Sequence, residues 1–409
     1  MELLTKLAWR NLWRNRRRTL ITISAVIFAT FLSLVMRGIQ LGTYDQNISW
    51  ALNLFSGFIQ LQDAEFKDNP SLHKSFRFTP SMGAALESDD RIRGYAPRIY
   101  GDGLVSFRQN SLGAALFGID PAQERSVTRM HEKVSEGRMI ASANASEIVL
   151  GRTLLKNLNA SVGDTVVLLS QGYDGALGNM KYRIVGSVKT GMQDFDRAAV
   201  FMGFEDLQEL VTMHGRVSVV AIALHDLHDI DDVAEDLRST ASMREVRVLP
   251  WQEVMPDMKQ GIDLDNYSGM LMLAILIVIV AFGILNTVLM SVTERFKEFG
   301  ILLSIGMPQR QLVVLVFVET LYLLLIGIIV GNVLALGVNM YFEANPITLT
   351  GDYAAMTEEY GWLPVMPSVV LPSSMLNTSI AILSISLVAA LYPLYRVLTL
   401  EPLKGIRYT

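Results

Sequence analysis

The chain of 409 residues contains no cysteine and no Gly-Lys dipeptide. Without cysteine it forms no disulfide, so a domain outside the cytoplasm has to be held together by its own core. A phosphate-binding P-loop needs the pattern G-x-x-x-x-G-K-[ST], which a chain without Gly-Lys does not contain. The sequence therefore predicts no ATPase site of that type in this chain.

Other catalytic signatures are missing too. The sequence has no G-x-S-x-G, no H-E-x-x-H and no G-x-G-x-x-G. His225 and His228, with Asp226 and Asp229 beside them, are more typical of a solvated loop before a helix, where aspartates favour the helix N-terminus, than of a metal site. We therefore predict no catalytic residue, no metal and no cofactor bound to this chain.

Long apolar runs are what the chain does have. Hydrophobic residues make up 51% of it, and its mean hydropathy is +0.33. Four runs approach or exceed the roughly 20 residues that a helix needs to cross a bilayer. They are Leu20–Met36, Met270–Val292, Leu312–Met340 and Ser374–Tyr395. No A-x-A-like cleavage site follows Met36, so the first run is predicted to remain as a span.

The charges indicate an orientation. The N-terminus, the loop 294–310 and the C-terminal tail together carry 12 basic and 4 acidic residues, whereas residues 37–269 carry 23 basic and 31 acidic ones. Positive loops stay in the cytoplasm. We therefore predict a multi-pass protein of the bacterial inner (cytoplasmic) membrane. Both termini would be cytoplasmic, and the large segment after the first span would lie outside.

The predicted fold class is an α-helical membrane protein with four transmembrane helices and a large α+β periplasmic domain between the first and second helices. The α+β domain follows from nine short strand patterns mixed with four helix patterns, and the four prolines in the loop 341–373 predict irregular structure there. The expected segments are an amphipathic N-terminal helix 1–19, helix 1 with its extension 20–56, the outer domain 57–250 with a strand-rich insertion at about 138–202, stalk and helix 2 at 251–292, a cytoplasmic helix 293–310, helix 3 at 311–341, an outer loop 342–373, helix 4 at 374–397 and a tail 398–409.

The short polar segment between the second and third apolar runs is the main candidate site. A helix here acts as a lever, because whatever binds it from the water side can move both flanking spans. Its charges are Glu294, Arg295 and Glu298, and its apolar edge at helical spacing is Ile301, Leu302 and Ile305. Gly300 and Gly306 permit close approach and a turn into the next span.

Three residues of the following run are further candidates. Glu319 lies roughly 15 Å into the third span, where an ionisable side chain has to face protein or water. Its role is either a coupling contact or a buried hydrogen bond to a neighbouring helix. Gly327 and Gly331 form a G-x-x-x-G pattern, which allows two helices to pack closely.

These motifs resemble those of a known family. The run from Glu294 to Gly306 is similar to the ERxxEIGxLxAxG signature of the MacB/FtsX permease superfamily of ABC transporters. The start of the chain, around Asn11 and Arg14, resembles the common start of that family. The family's closing motif is matched by Tyr392, Pro393, Arg396, Pro402 and Arg407. The layout is most similar to that of the lipoprotein-releasing (LolC/LolE-type) permeases.

The resemblance implies a mechanism and partners. The segment 293–310 would be a coupling helix that docks on a cytoplasmic ABC ATPase subunit, which binds ATP and Mg. A second permease copy or paralogue would complete a dimer, and the outer domain would have Porter and Sabre subdomains. Phe299, Leu303, Ser304 and Pro308 depart from the family pattern, which affects which ATPase is accepted.

Three functions remain open from the sequence. The chain extracts or releases a lipoprotein or other amphiphile from the outer leaflet, or it is a MacB-like component of a tripartite efflux pump, or it is an FtsX-like relay that activates a periplasmic partner. The substrate would be lipidated or amphiphilic, a periplasmic carrier or adaptor would take part, and the other contact is the lipid bilayer. Nucleic acid is not an expected partner.

Overall fold

The computed structural model describes residues 2–359 and 362–399. Contacts divide the chain into two compact units: Met1–Tyr44, Ile262–Thr348 and Val365–Thr409 form the first, and Asp45–Gly261 and Leu349–Pro364 form the second. The described α-helices are α1 Glu2–Leu12, α2 Arg16–Ala51, α3 Pro80–Glu87, α4 Pro121–Val127, α5 Arg152–Asn157, α6 Gln193–Ala198, α7 Phe204–Leu210, α8 Ile230–Ser239, α9 Trp251–Val254, α10 Pro256–Glu294, α11 Phe296–Ser304, α12 Gln309–Ala344, α13 Asp352–Glu359 and α14 Pro372–Leu398.

Four of these helices are long and apolar enough to cross a membrane: α2 with its continuation to Ser56, α10, α12 and α14. They contain the four apolar runs, and the predicted fold class is confirmed. Each helix extends beyond its apolar run, because the helical backbone hydrogen bonding continues into the flanking polar residues.

The N-terminal region differs from the single helix expected over residues 1–19. α1 ends at Leu12 and α2 already begins at Arg16, so the two are separated by a tight turn. In that turn the N–H of Arg14 donates to the carbonyl of Asn11 at 3.2 Å, and the hydroxyl of Thr19 donates to the carbonyl of Leu12 at 2.6 Å. Arg16, Arg17 and Arg18 are therefore part of α2 and not of the N-terminal helix.

The second unit is built on one ten-stranded mixed sheet. Its strands are β1 Ile59–Gln62, β2 Ile92–Phe107, β3 Asn110–Ile119, β4 Val134–Gly137, β5 Glu147–Gly151, β6 Thr165–Gln171, β7 Leu177–Val188, β8 Ala199–Gly203, β9 Val219–Leu224 and β10 Arg247–Pro250. The order is β10-β1-β9-β2-β3-β8-β5-β7-β4, and β6 pairs with β2 and β7. β2 is long enough to join two halves: its first part pairs with β9 and its second with β3.

The nine predicted strands are all present. β4 was missed, because its four residues Val134–Gly137 are mostly exposed and carry no apolar alternation. α3 and α6, each of eight residues or fewer, were missed as well.

The expectation of irregular structure across the outer loop is wrong in part. β11 Ile347–Thr348 pairs with β12 Val365–Met366, and α13 also lies within this loop. The prolines are compatible with these elements because they occupy positions that need no N–H donor. Pro364 acts as an acceptor, from the N–H of Leu349 at 2.8 Å, and Pro372 is in the first turn of α14.

Candidate functional site

The candidate site is built around α11, the short helix between two of the apolar helices. The backbone at Arg295 leaves helical geometry, so α10 ends at Glu294 and α11 starts at Phe296. Phe299 is fully buried, whereas Ile301 is 53% and Ile305 is 79% exposed. Leu302 is half-buried and Gly300 is buried. α11 therefore has one side packed into the unit and an apolar edge left open.

The turn after α11 depends on Gly306. Its φ is +101°, in the region that side chains disfavour, and open space surrounds the position of a Cβ. The N–H of Met307 donates to the carbonyl of Leu302 at 3.0 Å across this turn. Glycine is therefore required here for its backbone conformation rather than for close packing.

Arg295 points into the unit and not outward with Glu294. Its guanidinium donates to both carboxylate oxygens of Glu319, at 2.8 and 3.0 Å, and lies 4.9 Å from the centre of the Phe299 ring. The side-chain amide of Asn11 donates to the same carboxylate at 2.7 Å. A buried Arg–Glu pair with a third hydrogen bond joins α1, α12 and the start of α11. Sequence reasoning had grouped Arg295 with the exposed charges, so its position is a new finding.

Glu294 and Glu298, the two acidic residues of the short polar segment, are paired with N-terminal arginines. Arg14 bonds Glu298 at 2.8 and 2.9 Å, and Arg18 bonds Glu294 at 2.6 Å. Burial raises the pKa of the Glu298 carboxyl, but the hydrogen bond from Arg14 and the charges of Arg14 and Arg295 outweigh it, so this pKa lies below its usual range. The pair with Arg14 is therefore ionised at neutral pH.

α1 is held against α12 by apolar and aromatic contacts. Ala8 is fully buried in the core of this unit. The Trp9 ring packs edge-to-face on Tyr322 with a centroid distance of 5.9 Å, and on Trp13 at the same distance. Trp9 and Trp13 remain 49% and 39% exposed. These contacts hold α1 in the position at which Asn11 can donate its hydrogen bond to Glu319.

A polar cavity of about 260 Å³ lies among these side chains. Its walls include Arg18, Glu294, Arg295 and Glu319 together with hydroxyl groups such as that of Thr320. Because its walls are polar and it is larger than a water molecule, the cavity has room for water that solvates these charges. Among the residues that the structure describes, no three His, Cys, Asp or Glu side chains are grouped to hold a metal ion.

Gly327 and Gly331 lie where α12 meets α2. A Cβ at Gly327 would lie 2.5 Å from a methyl group of Val26, and one at Gly331 would lie 2.7 Å from the Cβ of Thr30. Both distances are shorter than the van der Waals contact between two carbon atoms, so a side chain at either position would clash with α2. The G-x-x-x-G pattern therefore allows these two helices to touch.

We expect Gly327→Leu to destabilise the membrane unit by about 1–3 kcal/mol, because the new side chain pushes α2 away from α12. Gly337→Leu is the matched control on the same helix, since nothing lies within 4 Å of its Cβ position. Thermal unfolding in detergent measures the stability of both variants. Equal losses in the two variants would contradict the assigned contact.

The closing motif lies only partly within the described residues. Tyr392 and Arg396 are exposed, and Pro393 is buried inside α14. Pro402 and Arg407 lie outside the described residues. In the described part, this motif does not take part in the ion pairs around α11.

Sequence reasoning missed Asn11, Arg14 and Arg18 as partners of the α11 region. The N-terminal arginines looked like a flank that sets orientation, or like an interfacial helix. One signal was available: three acidic residues, Glu294 and Glu298 in the polar segment and Glu319 inside the third span, lacked assigned counter-charges.

Comparison with known proteins adds the family. Residues 19–240 match the MacB-like periplasmic core domain, and residues 270–402 match the FtsX-like permease C-terminal domain. LolC, the lipoprotein-releasing system transmembrane protein, of Xylella fastidiosa (strain Temecula1) is 26% identical over 80% of each chain. LolC of Neisseria meningitidis is 24% identical over 91% of this chain and 89% of that protein. The macrolide export ATP-binding/permease protein MacB of Acinetobacter baylyi is 20% identical over 79% of this chain and 49% of that protein.

The MacB-like match covers more than half of the chain, and the FtsX-like match adds most of the rest. The curated relatives are permeases of the same kind. The chain is therefore a member of the MacB/FtsX superfamily of ABC transporter permeases, with LolC-like relatives.

Proposed function

We propose that this chain is the permease subunit of an ABC transporter that extracts or releases a lipoprotein or another amphiphile from the outer leaflet of the bacterial inner membrane. A separate cytoplasmic ATPase subunit hydrolyses ATP and binds Mg. It docks on α11, and its movement is converted into a conformational change of the outer domain. A second permease copy or paralogue completes the assembly, and a periplasmic carrier or adaptor receives the substrate.

One observation carries the proposal. α11 has an exposed apolar edge of Ile301 and Ile305, while Arg295 and Phe299 hold its other side in the unit. Such an arrangement suits a helix that receives a partner on one side and passes force to the spans on the other. The ion pairs of Glu294 and Glu298 with the N-terminal arginines position α11, and each exposed pair adds only about 0–1 kcal/mol.

The choice of an amphiphilic substrate follows the LolC relatives, whose name describes lipoprotein release. MacB-like efflux is the second candidate. This chain spans about half the length of the Acinetobacter baylyi MacB, whose name includes an ATP-binding part.

The proposed orientation has residues 37–269 in the periplasm and both termini in the cytoplasm. The cysteine-free chain allows a direct test with a single cysteine at Gly175, which lies in open space at a hairpin tip. A membrane-impermeant maleimide should label Gly175→Cys in intact spheroplasts. Labelling that requires an opened inner membrane would contradict this orientation.

The substrate class is tested by reconstitution. The chain and its copurifying ATPase are placed in proteoliposomes that contain a fluorescent triacylated lipopeptide, with the outer domain facing the outside. We expect ATP to release the lipopeptide into the medium. The same peptide without its acyl chains should leave ATP turnover unstimulated. ATP-dependent movement of a macrolide with no lipopeptide release would favour the efflux function instead.

A further inference from the structure

The N-terminal arginines fall into two groups. Two of them, Arg14 and Arg18, are occupied by the ion pairs with the acidic residues of the polar segment. The other three, Arg10, Arg16 and Arg17, are exposed, and within the described part of the chain none of them has an acidic partner. Three positive charges near the start of the chain are therefore left without a counter-charge.

The helix dipole makes two of these charges more unfavourable still. α2 begins at Arg16, and its first turn contains no acidic residue. Because the N-terminus of a helix is the positive end of its dipole, basic side chains there are repelled by it. An anion at this end of α2 would interact favourably with the dipole and with the arginines at the same time.

Exposed apolar side chains lie one turn further along α2. Arg16 and Leu20 are four residues apart, as are Arg17 and Ile21, so each pair shares one face of the helix and is separated by about 6 Å along its axis. All four side chains are exposed. Positive charge followed by exposed apolar surface matches the order of headgroup and acyl chains in a phospholipid.

Two tryptophan rings belong to the same surface. Trp9 and Trp13 are exposed and pack edge-to-face on each other, and Trp9 also packs on Tyr322, which lies in the third apolar run. Tryptophan is enriched at the boundary between membrane and water, so this contact indicates that α1 lies at the level of the lipid headgroups. We give the name basic corner to the set Trp9, Arg10, Trp13, Arg16 and Arg17.

We propose that the basic corner binds the headgroup of an anionic phospholipid in the cytoplasmic leaflet of the membrane. The negative headgroup pairs with the three arginines, the tryptophan rings lie beside it, and its acyl chains follow the exposed apolar side chains of α2. A docking partner in the water would leave those apolar side chains without a role. The choice of leaflet rests on the proposed orientation, whereas the preference for an anionic headgroup does not.

Tryptophan quenching measures the binding on the full chain in nanodiscs, which offer both leaflets and so give the same result for either orientation. The nanodiscs contain phosphatidylcholine with a minor fraction of brominated phosphatidylglycerol or, in the comparison, of brominated phosphatidylcholine. The signal of the two rings is the difference between the wild type and a Trp9→Phe, Trp13→Phe variant. We expect the anionic lipid to quench these rings at least about twofold more strongly. Equal quenching by the two lipids would overturn the proposal.

A charge variant and a matched control locate the site. Replacing the three arginines of the basic corner with glutamine should bring the quenching by the two lipids close to equality. The control removes the same number of positive charges from exposed positions elsewhere in the membrane unit, and it should keep the preference: Lys297→Gln, Arg310→Gln and Arg396→Gln. A preference that survives in the first variant, or that is lost equally in the control, would show that the basic corner is not the site.

The ATPase is the competing occupant of this surface. Its affinity is measured by titration onto the chain in nanodiscs of phosphatidylcholine alone, and the variant with three glutamines should bind close to the wild-type affinity. A clear loss of affinity in that variant would assign the basic corner to the ATPase and overturn the lipid proposal. If the wild-type chain binds no ATPase, the proposed function fails, and the quenching still decides whether an anionic headgroup binds.

Discussion

Replacing Glu319 with alanine should destabilise the membrane unit by about 3–5 kcal/mol, because the buried Arg295 loses both hydrogen bonds to its buried partner and keeps only a longer contact of 3.4 Å with the exposed Glu298. Arg295 and Glu319 are each about 10% exposed, and the amide of Asn11 loses its acceptor in the same variant. Thermal unfolding in detergent measures the loss. The matched control is Arg14→Ala, which breaks the exposed pair with Glu298 and should cost no more than about 1 kcal/mol.

A double variant separates stability from coupling. Arg295→Met with Glu319→Leu replaces the buried pair with apolar side chains of similar size, and such replacements are neutral or stabilising. We expect this variant to unfold near the wild-type temperature and to lose ATP-driven release, since α11 is no longer held to α12 in one position. Comparable stability of Glu319→Ala and Arg14→Ala would show that the buried pair does not hold the unit together.

Replacing Ile301 and Ile305 together with aspartate should weaken binding of the ATPase by roughly 100-fold or more. Each side chain contributes about 1.5–3 kcal/mol when it is fully buried by a partner, and a factor of ten corresponds to about 1.4 kcal/mol. Both residues are exposed in the chain alone, so its own stability should change by less than about 0.5 kcal/mol.

Binding is measured by titrating the ATPase onto the chain in nanodiscs. Ser304→Asp is the control, because it adds a negative charge to the same helix without removing apolar surface. If the double aspartate variant binds as tightly as the wild type, the apolar edge of α11 is not the docking surface. If Ser304→Asp is equally weak, charge rather than lost apolar contact explains the effect.

The sequence predicted the fold well where local patterns are strong. Four apolar runs and nine alternating segments can be recognised without knowing any tertiary contact, because each depends on residues close in sequence. Short exposed elements such as β4, and structure between prolines such as α13, carry weak local patterns and were missed.

The candidate site was predicted by position but not by contact. The depth of Glu319 indicated a buried partner, and that partner is Arg295, 24 residues away, with Asn11 308 residues away. Helical spacing shows which residues share a face of one helix, and it does not show which face meets another helix. The pairs of Glu294 and Glu298 with N-terminal arginines therefore required a structure.

The central claim is that this chain is driven by an ATPase that is another polypeptide, and ATP turnover in proteoliposomes tests it most directly. The purified chain alone should hydrolyse no ATP, because it has no P-loop. Addition of the ATPase should give turnover that the acylated lipopeptide stimulates, and the Ile301→Asp, Ile305→Asp variant should abolish that stimulation. Turnover by the chain after every copurifying protein has been removed would contradict the claim, and so would full stimulation through the double aspartate variant.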